Sequence, residues 1–234
     1  MLFRSHRPDP LRAAEELCTI DCISRGRLEM GFVKGVPYEV PVSNVNPTQL
    51  MERFWEAHDL IIKAMSTRTG PFEWQGEHFQ YPNVNVWPQP WQQPHPPVWI
   101  TGRSPQNVRE IAERGYVLAT FLSGYDTKPV FDNYRKTFAE LGRPAPDPDR
   151  FSYLGIVAIA QDRKEAWRRA DIMAGYLRSS AIVAEPFNAP PGYFSVPDAA
   201  RMMKGTGRPM VTTRDGKRVD AFSGSLEEIG RAHV

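Results

Sequence analysis

The sequence predicts an α/β fold built on a parallel sheet, and three observations predict it. Short apolar runs alternate with amphipathic stretches of helical period, most regularly from residue 98 onward. The links between them are short and carry Gly or Pro where the pattern switches, as in right-handed β-α-β units. The 234 residues, 41% hydrophobic and 24% charged, have the length and composition of one globular domain.

The elements follow in order. Asp9 is a good N-cap and Pro10 fits the first helical position, where a missing N–H costs nothing, so a helix is predicted over 9–23. Leu11, Ala14, Leu17, Cys18 and Cys22 step along it, and Gly26 stops it. Residues 28–33 read as a short strand with little alternation, as strands buried on both faces do. Gly31 and Gly35 frame its end. The next helix spans 48–65, apolar at Leu50, Phe54, Leu60, Ile61 and Met65. Phe72-Glu73-Trp74 and His78-Phe79-Gln80 flank Gln75-Gly76-Glu77 as a small hairpin. Pro82, Pro88, Pro90, Pro94, Pro96 and Pro97 then exclude helix and central strand, leaving a packed connection. The rhythm resumes with a strand at 98–102, a helix at 104–114 stopped by Gly115, a strand at 116–122 and a helix at 126–141 ended by Gly142. A strand at 151–160 and a helix from Asp162 to about residue 180 follow. Residues 181–220 form a Pro/Gly-rich excursion of the kind that serves as a lid or binding loop. Ser225-Leu226-Glu227-Glu228 opens another helix.

Composition excludes several classes of function. A net charge of +2, with both signs interspersed, argues against a nucleic-acid surface. No apolar run approaches the roughly 20 residues that span a bilayer, and Arg4, His6, Arg7, Pro8 and Asp9 interrupt any signal-peptide core. A cytoplasmic location is expected. Cys18 and Cys22 share a helix face with no further ligand nearby in sequence; they read as small buried helix residues, and no metal site is expected.

Three segments resemble the bacterial-luciferase-like family of flavin-dependent monooxygenases. The first runs from Ala13-Ala14-Glu15-Glu16 to Ile23-Ser24-Arg25-Gly26-Arg27-Leu28 and on into Gly31-Phe32-Val33-Lys34-Gly35. The second is Gln93-Pro94-His95-Pro96-Pro97-Val98-Trp99-Ile100-Thr101-Gly102, followed by Ser104-Pro105 and Ile111-Ala112-Glu113-Arg114-Gly115. The third is Ser223-Gly224-Ser225-Leu226-Glu227-Glu228. Each is weak alone; the order and spacing of the set carry the resemblance. It implies a partial (β/α)8 TIM barrel of luciferase-like type, with about four strands visible and the first strands and the last strand lacking. Met1-Leu2-Phe3-Arg4-Ser5 and Ile229-Gly230-Arg231-Ala232-His233-Val234 also resemble translated sequencing-adapter DNA read from its two strands. Residues 6–228 are therefore expected to be an incomplete barrel domain, 1–5 and 229–234 non-native ends, and 181–220 a lid-like insertion. Half a barrel with open sheet edges is expected to be unstable in isolation.

In such a barrel, ligands sit at the C-terminal ends of the strands. At one such end stands Val33-Lys34-Gly35. The resemblance implies that Lys34 contacts the flavin phosphate and that Val33 lies near the isoalloxazine, leaving room for oxygen. At the next stands Gly102-Arg103-Ser104-Pro105. Here elementary electrostatics speaks without the family: Ser104 caps a helix that Pro105 starts, and the amides of Gln106 and Asn107 face back toward the strand ends. A helix N-terminus of this kind is a natural phosphate site. Gly102 permits close backbone approach, and Arg103 adds a cation. Capping alone accounts for Ser104 and Pro105 but not for Gly102 and Arg103. Ala119, Thr120 and Ser123 at the third strand end are candidates for the flavin ring edge, with core packing as the alternative. His95, before a strand, reads as a rigid connector, and His58 as a residue on the outer face of its helix, in solvated pairing with Glu56 and Asp59. Trp74, Trp87, Trp91 and Trp99 read as packing.

The resemblance implies a two-component monooxygenase that uses reduced FMN and oxygen on a small organic substrate, with a separate flavin reductase as partner and a homo-oligomeric assembly. The family's active-site His would lie on a strand outside this chain, so no catalytic residue is assigned. Two alternatives stay open: hydride transfer with a deazaflavin, and a non-catalytic barrel that stabilises a partner subunit. Phe187, Tyr193 and Phe194 mark the 181–220 excursion as a candidate lid.

Overall fold

In the computed structural model the described residues are 2–4, 9–42, 45–121, 126–155 and 157–180, with 187, 190–194, 196, 200, 210–212 and 218–220 beyond them. They divide between two compact units, Met1–Thr101 with Pro190–Tyr193, and Gly102–Ala189 with Phe194–Val234. No helix among the described residues is long and apolar enough to cross a membrane.

The first unit contains β1 (Leu2–Arg4), α1 (Pro10–Ser24), β2 (Met30–Val33), α2 (Glu39–Val42), α3 (Leu50–Ser66), β3 (Phe72–Gln75), β4 (Gln80–Val84) and β5 (Val98–Thr101). β1 pairs parallel with β2, Leu2 opposite Gly31, and β2 pairs parallel with β5, Met30 opposite Val98. α1 starts where its cap dictates: the Asp9 carboxylate accepts from the Leu11 and Arg12 amides at 2.9 and 3.1 Å. It ends at Ser24, two residues before the glycine that reads as its stop. Arg25 already takes a left-handed φ of 56°, Gly26 continues it at 78°, and the Gly26 N–H returns to Asp21 O at 3.0 Å. α3 buries Leu50, Phe54, Ala57, Leu60, Ile61, Ala64 and Met65, a stripe at helical spacing, and packs on α1.

His58 corrects the expectation of a solvated residue. It is 1% exposed and meets Phe32 of β2 edge-on, with ring centroids 5.0 Å apart. The imidazole packs there as an aromatic, while Nδ1 is satisfied by the exposed Asp59 carboxylate at 2.8 Å. β2 also departs from the expected pattern. Met30 and Phe32 are fully buried and Gly31 and Val33 only partly.

The expected hairpin forms as β3 and β4, antiparallel. Glu56 anchors it, accepting from His78 N at 2.9 Å, Phe79 N at 2.9 Å and Trp74 Nε1 at 3.2 Å. Gly76 is required at the turn because a Cβ there would overlap the Glu56 carboxylate. The Pro-rich connection is tied to the end of α1 by a buried carboxylate: Asp21, 0% exposed, accepts from Gln92 N at 2.8 Å and Gln92 Nε2 at 2.9 Å. Cys18 is buried and Cys22 half-buried, its Sγ 3.2 Å from Gln89 O; both are free thiols.

The second unit contains α4 (Pro105–Glu113), β6 (Val117–Phe121), α5 (Thr127–Glu140), β7 (Phe151–Leu154), α6 (Arg163–Ser180), β8 (Met210–Thr212) and β9 (Arg218–Asp220). β6 and β7 are parallel, in register from Leu118–Phe151 to Phe121–Leu154. Of the strand expected at 151–160, the described part is Phe151–Leu154. α4 packs on α5. Arg143 joins them by donating to the last carbonyls of α4, Ala112 O at 2.9 Å and Glu113 O at 2.8 Å, where a cation also meets the negative helix end. Tyr134 of α5 is fully buried and donates its hydroxyl to Tyr116 O at 2.7 Å; burial raises that phenol to about 12. Within the excursion expected at 181–220, β8 and β9 pair antiparallel. The helix expected at Ser225 lies outside the described residues.

Candidate functional site

The predicted site residues fall into two local groups, one in each unit. In the first unit, Val33 ends β2 half-buried, Lys34 follows it, and Gly35 turns the chain with φ 87°. The Lys34 ammonium does not stand free in solvent. It donates to Tyr193 O at 3.2 Å and sits 3.7 Å from the centroid of the Tyr193 ring. The Tyr193 hydroxyl in turn donates to Gly35 O at 2.6 Å. Burial lowers the Lys34 pKa from its ordinary value, because removing an ammonium from water disfavours its charged form. Burial, then the nearby Glu39 charge, raises the Tyr193 phenol well above its usual range.

In the second unit, the turn from Gly102 into α4 brings Gly102, Ser104 and Asn107 together. Ser104 caps α4, its Oγ accepting from Asn107 N at 3.3 Å. That bond consumes the Asn107 amide, one of the two donors expected to face a ligand. The Gln106 amide, in the first turn, has no intrahelical acceptor, and the Ser104 hydroxyl keeps its own proton to donate. Arg103, Ser104 and Gln106 are exposed, and Asn107 is half-buried. Gly102 is buried, and its N–H is given to Ala119 O at 3.2 Å. A Cβ at Gly102 would lie 2.7 Å from Ile111 Cδ1 and 3.0 Å from Asn107 Nδ2. The glycine thus lets the first turn of α4 close against the strand exit. On β6, Thr120 is 2% exposed, and its Oγ1 has no hydrogen-bond partner among the described residues. Ser123 lies outside the described residues.

What this second group can do is specific. An exposed guanidinium, a hydroxyl donor and a first-turn amide converge at a positive helix end, the donor set that suits a phosphate monoester. The orphaned Thr120 hydroxyl is the kind of buried polar atom that calls for a partner outside the chain. Both features fit a phosphorylated, heteroaromatic cofactor.

Two contacts near the predicted residues are not signalled locally in the sequence. Pro190-Pro191-Gly192-Tyr193 spells a tight turn, but nothing in it says that Tyr193 meets Lys34. Nothing beside Glu56 signals its three donors. Glu52, Glu77 and His78 bring potential metal-ligand atoms within 4.8 Å of one another, but two are exposed carboxylates, which gather in this way without any ion.

Comparison with known proteins gives a consistent result. The family model described as luciferase-like monooxygenase matches residues 5–229. The chain is 32% identical over 109 residues to the oxygenase component of the flavin-dependent trigonelline monooxygenase of Acinetobacter baylyi, a match covering 45% of this chain and 29% of that protein. Its structure is similar to that of monooxygenase RslO1 from Streptomyces bottropensis, with a TM-score of 0.68 at 22% identity, covering 77% of this chain and 55% of that one. It is also similar to the oxygenating constituent of 3,6-diketocamphane monooxygenase from Pseudomonas putida in complex with FMN, with a TM-score of 0.59 at 21% identity, covering 76% and 58% of the two chains. The matched stretch spans less than half the length of the curated relatives. The structural likenesses show the fold: α/β, of the (β/α)8-barrel type, matched over part of its length.

Proposed function

This chain belongs to the luciferase-like monooxygenase family, and on that premise we propose that the whole protein is the oxygenase component of a two-component, flavin-dependent monooxygenase. It takes reduced FMN from a separate flavin reductase in the cytoplasm, works as a homo-oligomer, and oxygenates a small organic substrate. The observation that carries the reading is the turn after β5: Arg103, Ser104 and the Gln106 amide gathered at the start of α4, at the C-terminal end of a parallel strand, where barrels of this type bind ligands.

The residues divide the work. Arg103, the Ser104 hydroxyl and the Gln106 amide hold the flavin phosphate, with Asn107 supporting the cap and Gly102 setting the turn. Lys34, at the end of β2 in the first unit, is the cation that the family resemblance assigns to a flavin phosphate. Thr120 offers its buried hydroxyl to a polar edge of the flavin ring, and the family resemblance assigns to Val33 the small apolar side chain that leaves room for oxygen. When bound, reduced flavin supplies the two electrons that let one atom of O2 enter the substrate while the other leaves as water. The lid role expected of 181–220 falls mostly on residues outside the described ones.

The test is an anaerobic fluorescence titration of the whole protein with reduced FMN and, separately, with a reduced deazaflavin. Reduced FMN should bind, and replacing Ser104 and Arg103 together by Ala should weaken it at least about tenfold, as loss of charge-assisted bonds to phosphate implies. Preference for the deazaflavin would instead assign hydride transfer. Binding of neither would leave a non-catalytic barrel subunit.

A further inference from the structure

The position of Tyr193 over Lys34 is dictated by the four residues that end in it. Pro191 occupies the second position of the turn and Gly192 the third, with φ 87°, and the Tyr193 N–H closes it onto Pro190 O at 3.1 Å. Pro followed by a glycine at positive φ is the signature of a type II turn. The turn is also seated on the protein. Pro190 is buried, and a Cβ at Gly192 would come within 2.5 Å of Thr48 Cγ2, 2.9 Å of Thr48 Cα and 3.0 Å of Thr48 N. Backbone lies on that side, so no flexible side chain can move to make room. A rigid turn pressed against Thr48 therefore delivers Tyr193 to one place at the end of β2. There its hydroxyl, kept protonated by burial, ties it to Gly35 O.

A lysine carries its charge on a flexible four-carbon stem, and ordering that stem opposes the binding of any anion. Here the ordering is already done. The ammonium is held between the Tyr193 carbonyl and the face of the Tyr193 ring.

We propose that Tyr193 is a positioning residue for Lys34: its carbonyl and ring fix Lys34 Nζ at the end of β2, and that fixed charge sets the preference for a phosphorylated flavin over the unphosphorylated one. This rests on the reading of Lys34 as a phosphate contact.

The experiment measures, on the whole protein under anaerobic conditions, the affinity for reduced FMN and for reduced riboflavin, which differ only in the phosphate. The variants are Lys34→Met, Tyr193→Leu, Tyr193→Phe and the Lys34→Met/Tyr193→Leu double. Lys34→Met should lower the FMN-over-riboflavin preference by about tenfold, the loss of one charge-assisted contact. Tyr193→Leu should remove most of the same factor while leaving riboflavin affinity in place, and the double should be no worse than Lys34→Met. Tyr193→Phe keeps the ring and the carbonyl but loses the tie to Gly35; a loss of about threefold is expected. If Tyr193→Leu fails to fold, Tyr193→Phe decides, and an unchanged preference in it overturns the proposal. If Tyr193→Leu leaves the preference intact or raises it while Lys34→Met abolishes it, Tyr193 merely covers the lysine; the proposal falls and the phosphate role of Lys34 stands. If Lys34→Met itself leaves the preference intact, both fall together.

Discussion

Replacing Gly102 by Ala tests the turn on which the phosphate site is built. Ile111 is fully buried, and the new Cβ would sit 2.7 Å from its Cδ1. Carbon atoms in contact prefer separations of about 3.5–4.0 Å, so the methyl intrudes by about 1 Å into a space with no slack. Overpacking of this kind costs about 2 kcal/mol. Ile111→Val removes Cδ1, the atom struck, and alone costs about 1 kcal/mol. If the clash with Cδ1 is the cause, the double variant should lose only about 1.5 kcal/mol rather than the additive sum of about 3, a coupling of about 1.5 kcal/mol between neighbours. Urea unfolding of the whole protein and its three variants, with equal m-values, measures this directly. The first turn of α4 also carries the Gln106 amide and the Ser104 hydroxyl. Reduced-FMN affinity should therefore fall in Gly102→Ala and recover in part in the double. A double variant that loses the full sum would place the obstruction elsewhere and refute the packing account of this glycine.

Glu56 makes a prediction about pH. Burial opposes its ionisation, but the bonds from His78, Trp74 and Phe79 outweigh that and hold its carboxyl below the ordinary value. A folded pKa below the unfolded one gives stability that is complete above the unfolded value, near about 4.3, and is lost as pH falls through the folded value. The stability gap between the wild type and Glu56→Gln should be flat around neutrality and close on the acid side of that value; a gap that persists unchanged to pH 3 would mean that the three donors do not depend on the charge. Asp21→Ala should cost about 2 kcal/mol in urea unfolding, because it removes the buried acceptor of Gln92 N and leaves Gln92 Nε2 only its bond to Leu28 O. A loss below about 1 kcal/mol would show that this tie between α1 and the Pro-rich connection carries little of the fold.

The elements legible in the sequence were those whose signals are local. Asp9-Pro10 and Ser104-Pro105 place helix starts to the residue, because a cap and a missing N–H act within one turn. The α/β class followed from the alternation of such starts with short apolar runs. The end of β7 was not legible. Residues 151–160 share a strand-like composition, and composition alone does not say that the described pairing of β7 with β6 covers only Phe151 to Leu154.

The same distinction runs through the candidate site. Ser104 could be read as a cap because its acceptor role is spent three residues away, on Asn107. Glu56 and His58, two residues apart on α3, read together as solvated. Nothing near them in sequence shows that one is clamped by the hairpin at 72–84 and the other lies against Phe32. Lys34 is the sharpest case. Its identity and its place beside Gly35 read the same whether the ammonium is hydrated or caged, and what decides is a tyrosine 159 residues on. Residue type at a strand end tells which charge is available; the segment that folds back over it determines whether that charge is fixed. Discrimination between phosphorylated and unphosphorylated ligands needs a fixed charge, so it should track Tyr193 as closely as it tracks Lys34.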